Sequence, residues 1–100
     1  MSVVCASRSF VVPGTNTCLT FRLYSPRVIA DESYRCEYEI LAGDQVVRTF
    51  EAGGADSLQA LLLAVSSIVR DLKYRFPKFY EKIPPDYLAD MGRLTSDRSD

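Results

Sequence analysis

The chain has 100 residues, 47% hydrophobic and 25% charged, which makes one ordinary globular domain and excludes a disordered composition. A net charge of -1 and a pI near 5.4 give no overall basic field, so duplex nucleic acid ranks low as a partner. No segment approaches the ~18 consecutive apolar residues of a membrane span, and the opening residues, without a basic region followed by a long apolar run, do not read as a signal peptide. The expectation is a soluble, cytoplasmic protein. Cys5, Cys18 and Cys36 are odd in number and widely spaced, which suits reduced thiols better than a disulfide framework.

In chain order, residues 5–12 are β-branched and aromatic toward their end and stop at Pro13-Gly14. Residues 17–24 alternate, with Leu19, Phe21 and Leu23 opposite Cys18, Thr20, Arg22 and Tyr24. Period-two alternation marks a half-buried strand. Ser25-Pro26 ends it, and residues 27–33 read as a loop with Asp31 and Glu32. Residues 34–41 alternate again, Tyr34, Cys36, Tyr38 and Ile40 against Arg35, Glu37 and Glu39. Ala42-Gly43-Asp44 forms a hairpin turn, and residues 45–51 make a fourth strand in which Val46, Arg48 and Phe50 share a face. Short connections favour an antiparallel meander.

Gly53-Gly54 breaks the strand pattern before a long helix. Asp56 is placed as N-cap and Gln59 as its capping-box partner. Leu58, Leu61, Leu62, Val65, Ile68, Val69 and Leu72 recur at helical spacing and predict one broad core face. Arg70, Lys73 and Arg75 suit the negative end of the helix dipole. The helix must stop by Phe76, because Pro77 disfavours helical geometry before it. A short second helix is predicted from Pro84-Pro85-Asp86 through Met91, with Gly92 just past its end and Tyr87, Leu88 and Met91 docked on the body. The domain is thus residues 1–76, with 77–100 a C-terminal extension whose last residues read as a frayed tail. The predicted fold class is α+β: a four-stranded antiparallel meander, one long helix on one face, and that extension.

No motif specifies a reaction. Histidine is absent, so the commonest general base and metal ligand is missing. No closely spaced ligand pair suggests zinc, and the expected cofactor and metal content is none. Cys18 and Cys36 lie mid-strand beside apolar neighbours and read as buried structural thiols. Glu37 and Glu39 alternate with Arg35, and Arg22 and Arg48 are expected across from them, so cross-strand charge pairing explains them without catalysis. Gly53-Gly54 lacks a phosphate-loop pattern, and Asp56 sets a negative charge where a phosphate would sit.

The candidate partner-binding residues fall in three groups. The polar sheet face carries Arg22, Arg35, Glu37 and Glu39, a flat surface of both signs that can read a charged partner. The segment 70–82 interleaves Arg70, Lys73, Arg75, Lys78 and Lys82 with Tyr74, Phe76, Phe79 and Tyr80. Leu63 and Tyr74 fall on the back of the long helix at ~100° per residue. The edge strands add a mode of association by strand addition.

Arg8 in a first strand, Ser25-Pro26, Tyr34-x-Cys36-x-Tyr38-x-Ile40, then Gly54-x-Asp56-Ser57-Leu58-Gln59-Ala60-Leu61 and Ala64 follow in that order. Over roughly residues 8–72 this resembles a family of short bacterial proteins classed only as a domain of unknown function. The resemblance implies a bacterial source and this fold, and it transfers no catalytic residue. The capped Ala/Leu-rich helix is also similar to that of HicB-type antitoxins, and the size and composition are similar to those of immunity proteins. The leading expectation is a non-enzymatic protein-interaction module in a toxin-neutralising or adaptor role. It would bind another protein or itself. The alternatives are a small-ligand-binding or regulatory domain, with ligand near Tyr34 and Tyr38, and a HicB-like antitoxin.

Overall fold

The computed structural model describes residues 3–29 and 33–95. Among these residues five strands form one antiparallel sheet: β1 (Val4–Val11), β2 (Cys18–Tyr24), β3 (Arg27–Val28), β4 (Tyr34–Ala42) and β5 (Gln45–Gly54). Helices follow: α1 (Ser57–Arg75), α2 (Pro77–Lys82), a single 3-10 turn (Pro85–Tyr87) and α3 (Ala89–Thr95). The order across the sheet is that of a meander, β1-β2-β4-β5, with β3 continuing the line of β2 along the start of β4. This α+β architecture is the one the alternation patterns indicate.

Two strand boundaries differ from the sequence reading. Ser25-Pro26 ends β2, but Arg27 and Val28, read as loop, form β3 and pair with Arg35 and Tyr34. Asp31, Glu32 and the tail from residue 96 lie outside the described residues. Likewise Gly53 and Gly54 remain in β5, opposite Arg35 and Tyr34. A Cβ on Gly54 would stand 2.5 Å from the Ala60 backbone nitrogen, so this glycine lets the strand run close under the first turn of α1.

Alternation decides which side of the sheet is core. Leu19, Phe21 and Leu23 of β2 and Cys36, Tyr38 and Ile40 of β4 are buried under α1. Cys18, Thr20, Arg22, Arg35, Glu37 and Glu39 point to the outer face. Cys18 is therefore half-exposed, not buried as its neighbours suggested, while Cys36 is fully buried. In β5 the register shifts between Ile40 and Leu41, which oppose Arg48 and Val46. The extra residue, Val47, is a bulge. It turns Val46 to the outer face and leaves Arg48 and Phe50 on the helix side, so Arg48 is not a cross-strand partner for Glu37 or Glu39.

The largest correction concerns α1. Its buried residues are Ala60, Ala64, Val65, Ser67, Ile68, Asp71 and Leu72, whereas Leu58 is 62% exposed. At ~100° per residue the helix has turned roughly a quarter-turn from the face its leucines define. Small side chains at 60, 64 and 67 let the helix sit low on β4 and β5, where bulky leucines would hold it away. The leucines are displaced sideways. Leu61 and Val65 look toward β2 and the C-terminal arm, where Leu61 and Val69 pack against the core.

Local signals fix both ends of α1. Asp56 Oδ1 accepts from Gln59 N–H at 2.7 Å, a cap typically contributing about 1 kcal/mol. Gln59 Oε1 reaches back to the N–H of Ala55, at 2.6 Å, one residue before the cap. At the other end Phe76 caps the helix and Pro77 opens α2, which the sequence reading left unassigned. The predicted terminal helix splits: Pro85–Tyr87 is one 3-10 turn, and α3 begins at Ala89 and runs through Gly92 instead of stopping before it. Ile83, Leu88 and Met91 are buried, which docks the arm on α1. Among the described residues no helix is long and apolar enough to cross a membrane.

Candidate functional site

The segment leaving α1 sets three basic side chains around an apolar hollow. Arg75, Phe76, Pro77, Lys78, Phe79 and Lys82 line a cavity of 550 Å³. The Pro77 turn makes it: α1 stops, α2 starts at a new angle, and positions 75, 78, 79 and 82 are brought to one side. Phe76 and Phe79 are half-buried and pack against the core, while Lys78 and Lys82 are exposed. Residues 70–82 carry five basic and two acidic groups, a net +3, so the remaining 87 residues carry -4 of the total -1. The exit of α1 is therefore a positive pole on an otherwise acidic chain.

One of those two acids is buried and is shared between the sheet and Arg75. Asp71 is 5% exposed and sits on the sheet side of α1. Its Oδ2 accepts from Tyr38 Oη at 2.6 Å and from Arg48 Nε at 2.9 Å. Its Oδ1 lies 3.4 Å from Arg75 Nε, one helical turn on. Arg48 in turn covers the Phe50 ring at 4.7 Å. Burial, with the hydrogen bond to Asp71 second, pushes the Tyr38 hydroxyl well above its ordinary range. The same carboxylate raises Arg48 by hydrogen bonding to it. This network ties sheet to helix and holds Arg75 at the edge of the basic hollow. Reading Leu72 as core was easy; Asp71 was missed because its buried column, Ala60-Ala64-Ser67-Asp71, is small or polar. The 3–4 spacing of that column is the signal that could have found it.

The other predicted partner residues lie elsewhere. Arg22 and Glu39 are cross-strand neighbours 3.6 Å apart on the outer face, and Tyr24 Oη donates to Glu39 at 2.7 Å. That hydrogen bond raises the Tyr24 hydroxyl. Arg27 pairs with Glu51 across β4, while Arg35 faces Arg27 and Glu37 faces Glu51 in register. Leu63 is 44% and Tyr74 71% exposed on the back of α1, where Lys73 lies over the Tyr74 ring at 5.5 Å. Arg70 donates to Ser67 Oγ at 3.1 Å. The structure thus brings Arg75 and Lys78 together with Lys82. It leaves Arg22, Arg35, Glu37 and Glu39 on the opposite side of the sheet from them.

A second cavity, of 480 Å³, separates α1 from β1 and β2. Phe21, Leu23, Leu61, Val65 and Met91 make its walls, and Arg8 and Asp90 close one end. Arg8 donates to both Asp90 oxygens, at 2.8 and 2.7 Å, and to the Tyr87 carbonyl at 3.1 Å. Arg8 holds the Asp90 carboxyl down at about 2. This is the space between helix, sheet and C-terminal arm, but it lies over β1 and β2, and fully buried Tyr38 is no part of it. Among the described residues no group of three or more acidic or thiol side chains could hold a metal ion.

A family model described as a domain of unknown function, DUF6968, matches residues 6–78. No curated protein and no solved structure matches the chain. The matched span contains the sheet, α1 and the start of the basic hollow, and stops before Lys82 and α3.

Proposed function

The chain belongs to the DUF6968 family, and we propose that it is a non-enzymatic protein-interaction module whose basic, aromatic-floored hollow takes an acidic segment of a partner protein. The observation that carries this reading is the hollow of Arg75, Phe76, Lys78, Phe79 and Lys82 at the positive pole of an acidic chain. Aromatic side chains with an apolar floor supply the affinity of such sites. Exposed cations supply steering and selectivity while contributing only about 0–1 kcal/mol per ion pair. A toxin-neutralising or adaptor role in a bacterial cytoplasm fits a module that acts by such a binding surface.

Selection from a displayed random-peptide library tests it. The expected outcome is enrichment of Asp and Glu around an apolar residue, with binding that weakens as salt rises. The Lys78→Glu/Lys82→Glu double variant should lose at least about tenfold in affinity, about 1.4 kcal/mol, with its circular dichroism unchanged. Peptides without acidic enrichment, or equal binding by the double variant, would sink the proposal.

The cleft over β1 and β2 favours a second reading, a site for a small, mainly apolar ligand. Its volume and apolar walls are of the kind small-molecule sites use. A thermal-shift screen in which Leu61→Gln abolishes the stabilisation by a hit compound would place the ligand there.

A further inference from the structure

The backbone of β1 offers a different surface. Along one side β1 pairs with β2, and among the described residues no strand pairs with the other side. The ladder itself says which groups face outward. Val12 N–H donates to the Thr17 carbonyl at 2.9 Å, and at the far end Ser25 N–H donates to the Val3 carbonyl at 2.7 Å. Hydrogen-bonded residues alternate along an antiparallel pair. In the observed register the inward-bonded residues of β1 are therefore Phe10, Arg8 and Ala6, opposite Leu19, Phe21 and Leu23. The N–H and C=O groups of Ser7, Ser9 and Val11 point away from β2.

Native edges are blunted by charge, proline, bulges or cover. In β1 the register shift lies between Val4 and Ala6, which leaves residues 6–11 regular. That stretch contains no proline, and its one charge, Arg8, is on the inner face and held by Asp90. The opposite edge differs, since β5 is bulged at Val47 and carries Arg48 and Glu51.

We propose that β1 pairs antiparallel with β1 of a second copy, about a two-fold axis at Ser9, so that two sheets become one. A second copy fits because the register is self-complementary. Outward groups occur only on odd residues, so odd residues must meet odd residues and the axis must pass through a residue; Ser9 is the middle one of the three outward residues of the regular stretch. An axis at Ser7 would run the pairing through the register shift. With the axis at Ser9, Ser7 meets Val11 of the second copy on the outer face. On the inner face Arg8 meets the second copy's Phe10, a cation beside a ring. An axis at Arg8 would instead oppose two guanidinium groups. This surface is separate from the basic hollow, and neither depends on the other.

Sedimentation equilibrium over a concentration series tests the pairing, with reductant present so that exposed Cys5 cannot cross-link. The expected result is a concentration-dependent rise from 11.2 kDa toward twice that mass. Ser9→Pro removes an outward N–H and leaves the β2 ladder intact; it should weaken association at least about tenfold. Ser9→Lys should do the same by charge and decides the matter if the proline variant fails to fold. A wild-type chain that stays at 11.2 kDa throughout, or a dimer that survives Ser9→Lys, would overturn the proposal.

Discussion

The hydroxyl of Tyr38 donates to Asp71 Oδ2 across 2.6 Å and joins the middle of the sheet to the last turns of α1. Replacing Asp71 by Ala removes a buried acceptor shared with Arg48 and Arg75. Breaking a buried pair costs about 3–5 kcal/mol. The Arg48 and Arg75 side chains are 22% and 57% exposed and can rehydrate, which puts the loss near the lower limit. Tyr38→Phe should cost about 1 kcal/mol. Urea unfolding of both single variants and the double variant should show less than additive loss, because the two groups share one bond. Full additivity would mean that the bond contributes nothing.

Opposite expectations for two positions test the rotation of α1. Gly54→Ala forces a Cβ to 2.5 Å from the Ala60 nitrogen, a backbone atom that cannot swing aside. A loss of about 1–3 kcal/mol is expected, as for other overpacked sites. Leu58→Ser, at a position 62% exposed, should change stability by less than about 0.5 kcal/mol. A large loss at Leu58 with none at Gly54 would restore the leucine face to the core.

At acid pH the marker is Asp90. With Arg8 as its partner it titrates at about 2, below its ordinary value near ~3.9. Since the folded value is depressed, its contribution is present above ~3.9 and is lost as pH falls toward 2. The pair is exposed, so this acid limb should be shallow. NMR titration of the Asp90 carboxyl in wild type and Arg8→Gln checks it: the variant should titrate near the ordinary value. Identical curves would show that Arg8 is not the cause.

Alkaline behaviour follows from burial in the middle of β4. Desolvation pushes the Cys36 thiol up to about 11, and it pushes the Tyr38 hydroxyl higher still. Both values are raised by folding, so their contribution is complete below the unfolded values, ~8.5 and ~10, and declines above them. Stability should therefore fall as pH rises beyond ~8.5, less steeply in Tyr38→Phe. Thiol labelling at neutral pH gives an independent check: exposed Cys5 should react at once and Cys36 only on unfolding. Rapid labelling of Cys36 in the folded chain would contradict its burial.

Much of this fold was legible without coordinates because its signals are local. The alternation of Leu19, Phe21 and Leu23, and of Cys36, Tyr38 and Ile40, assigns one face of each strand to the core whatever packs on it. Asp56 and Pro77 bound α1 through the geometry of single residues and their immediate neighbours. The bulge at Val47 was not legible, because a register shift depends on how two strands meet. Nor was the split of the C-terminal arm, where the docking of Ile83, Leu88 and Met91 outweighs the break expected at Gly92.

The sequence by itself determined the four longer strands and the long helix, their order, the caps of that helix and the basic run that leaves it, since each follows from residue chemistry over a few positions. Only the tertiary structure decided which side of α1 is buried. Hydrophobicity favoured the leucines; close packing on β4 and β5 selected Ala60, Ala64 and Ser67, because small side chains allow approach and large ones prevent it. That quarter-turn buries Asp71 against Tyr38 and Arg48, sends Leu61 and Val65 to the cleft, and sets Arg75 beside Lys78 and Lys82. The candidate site is a consequence of how the helix lies.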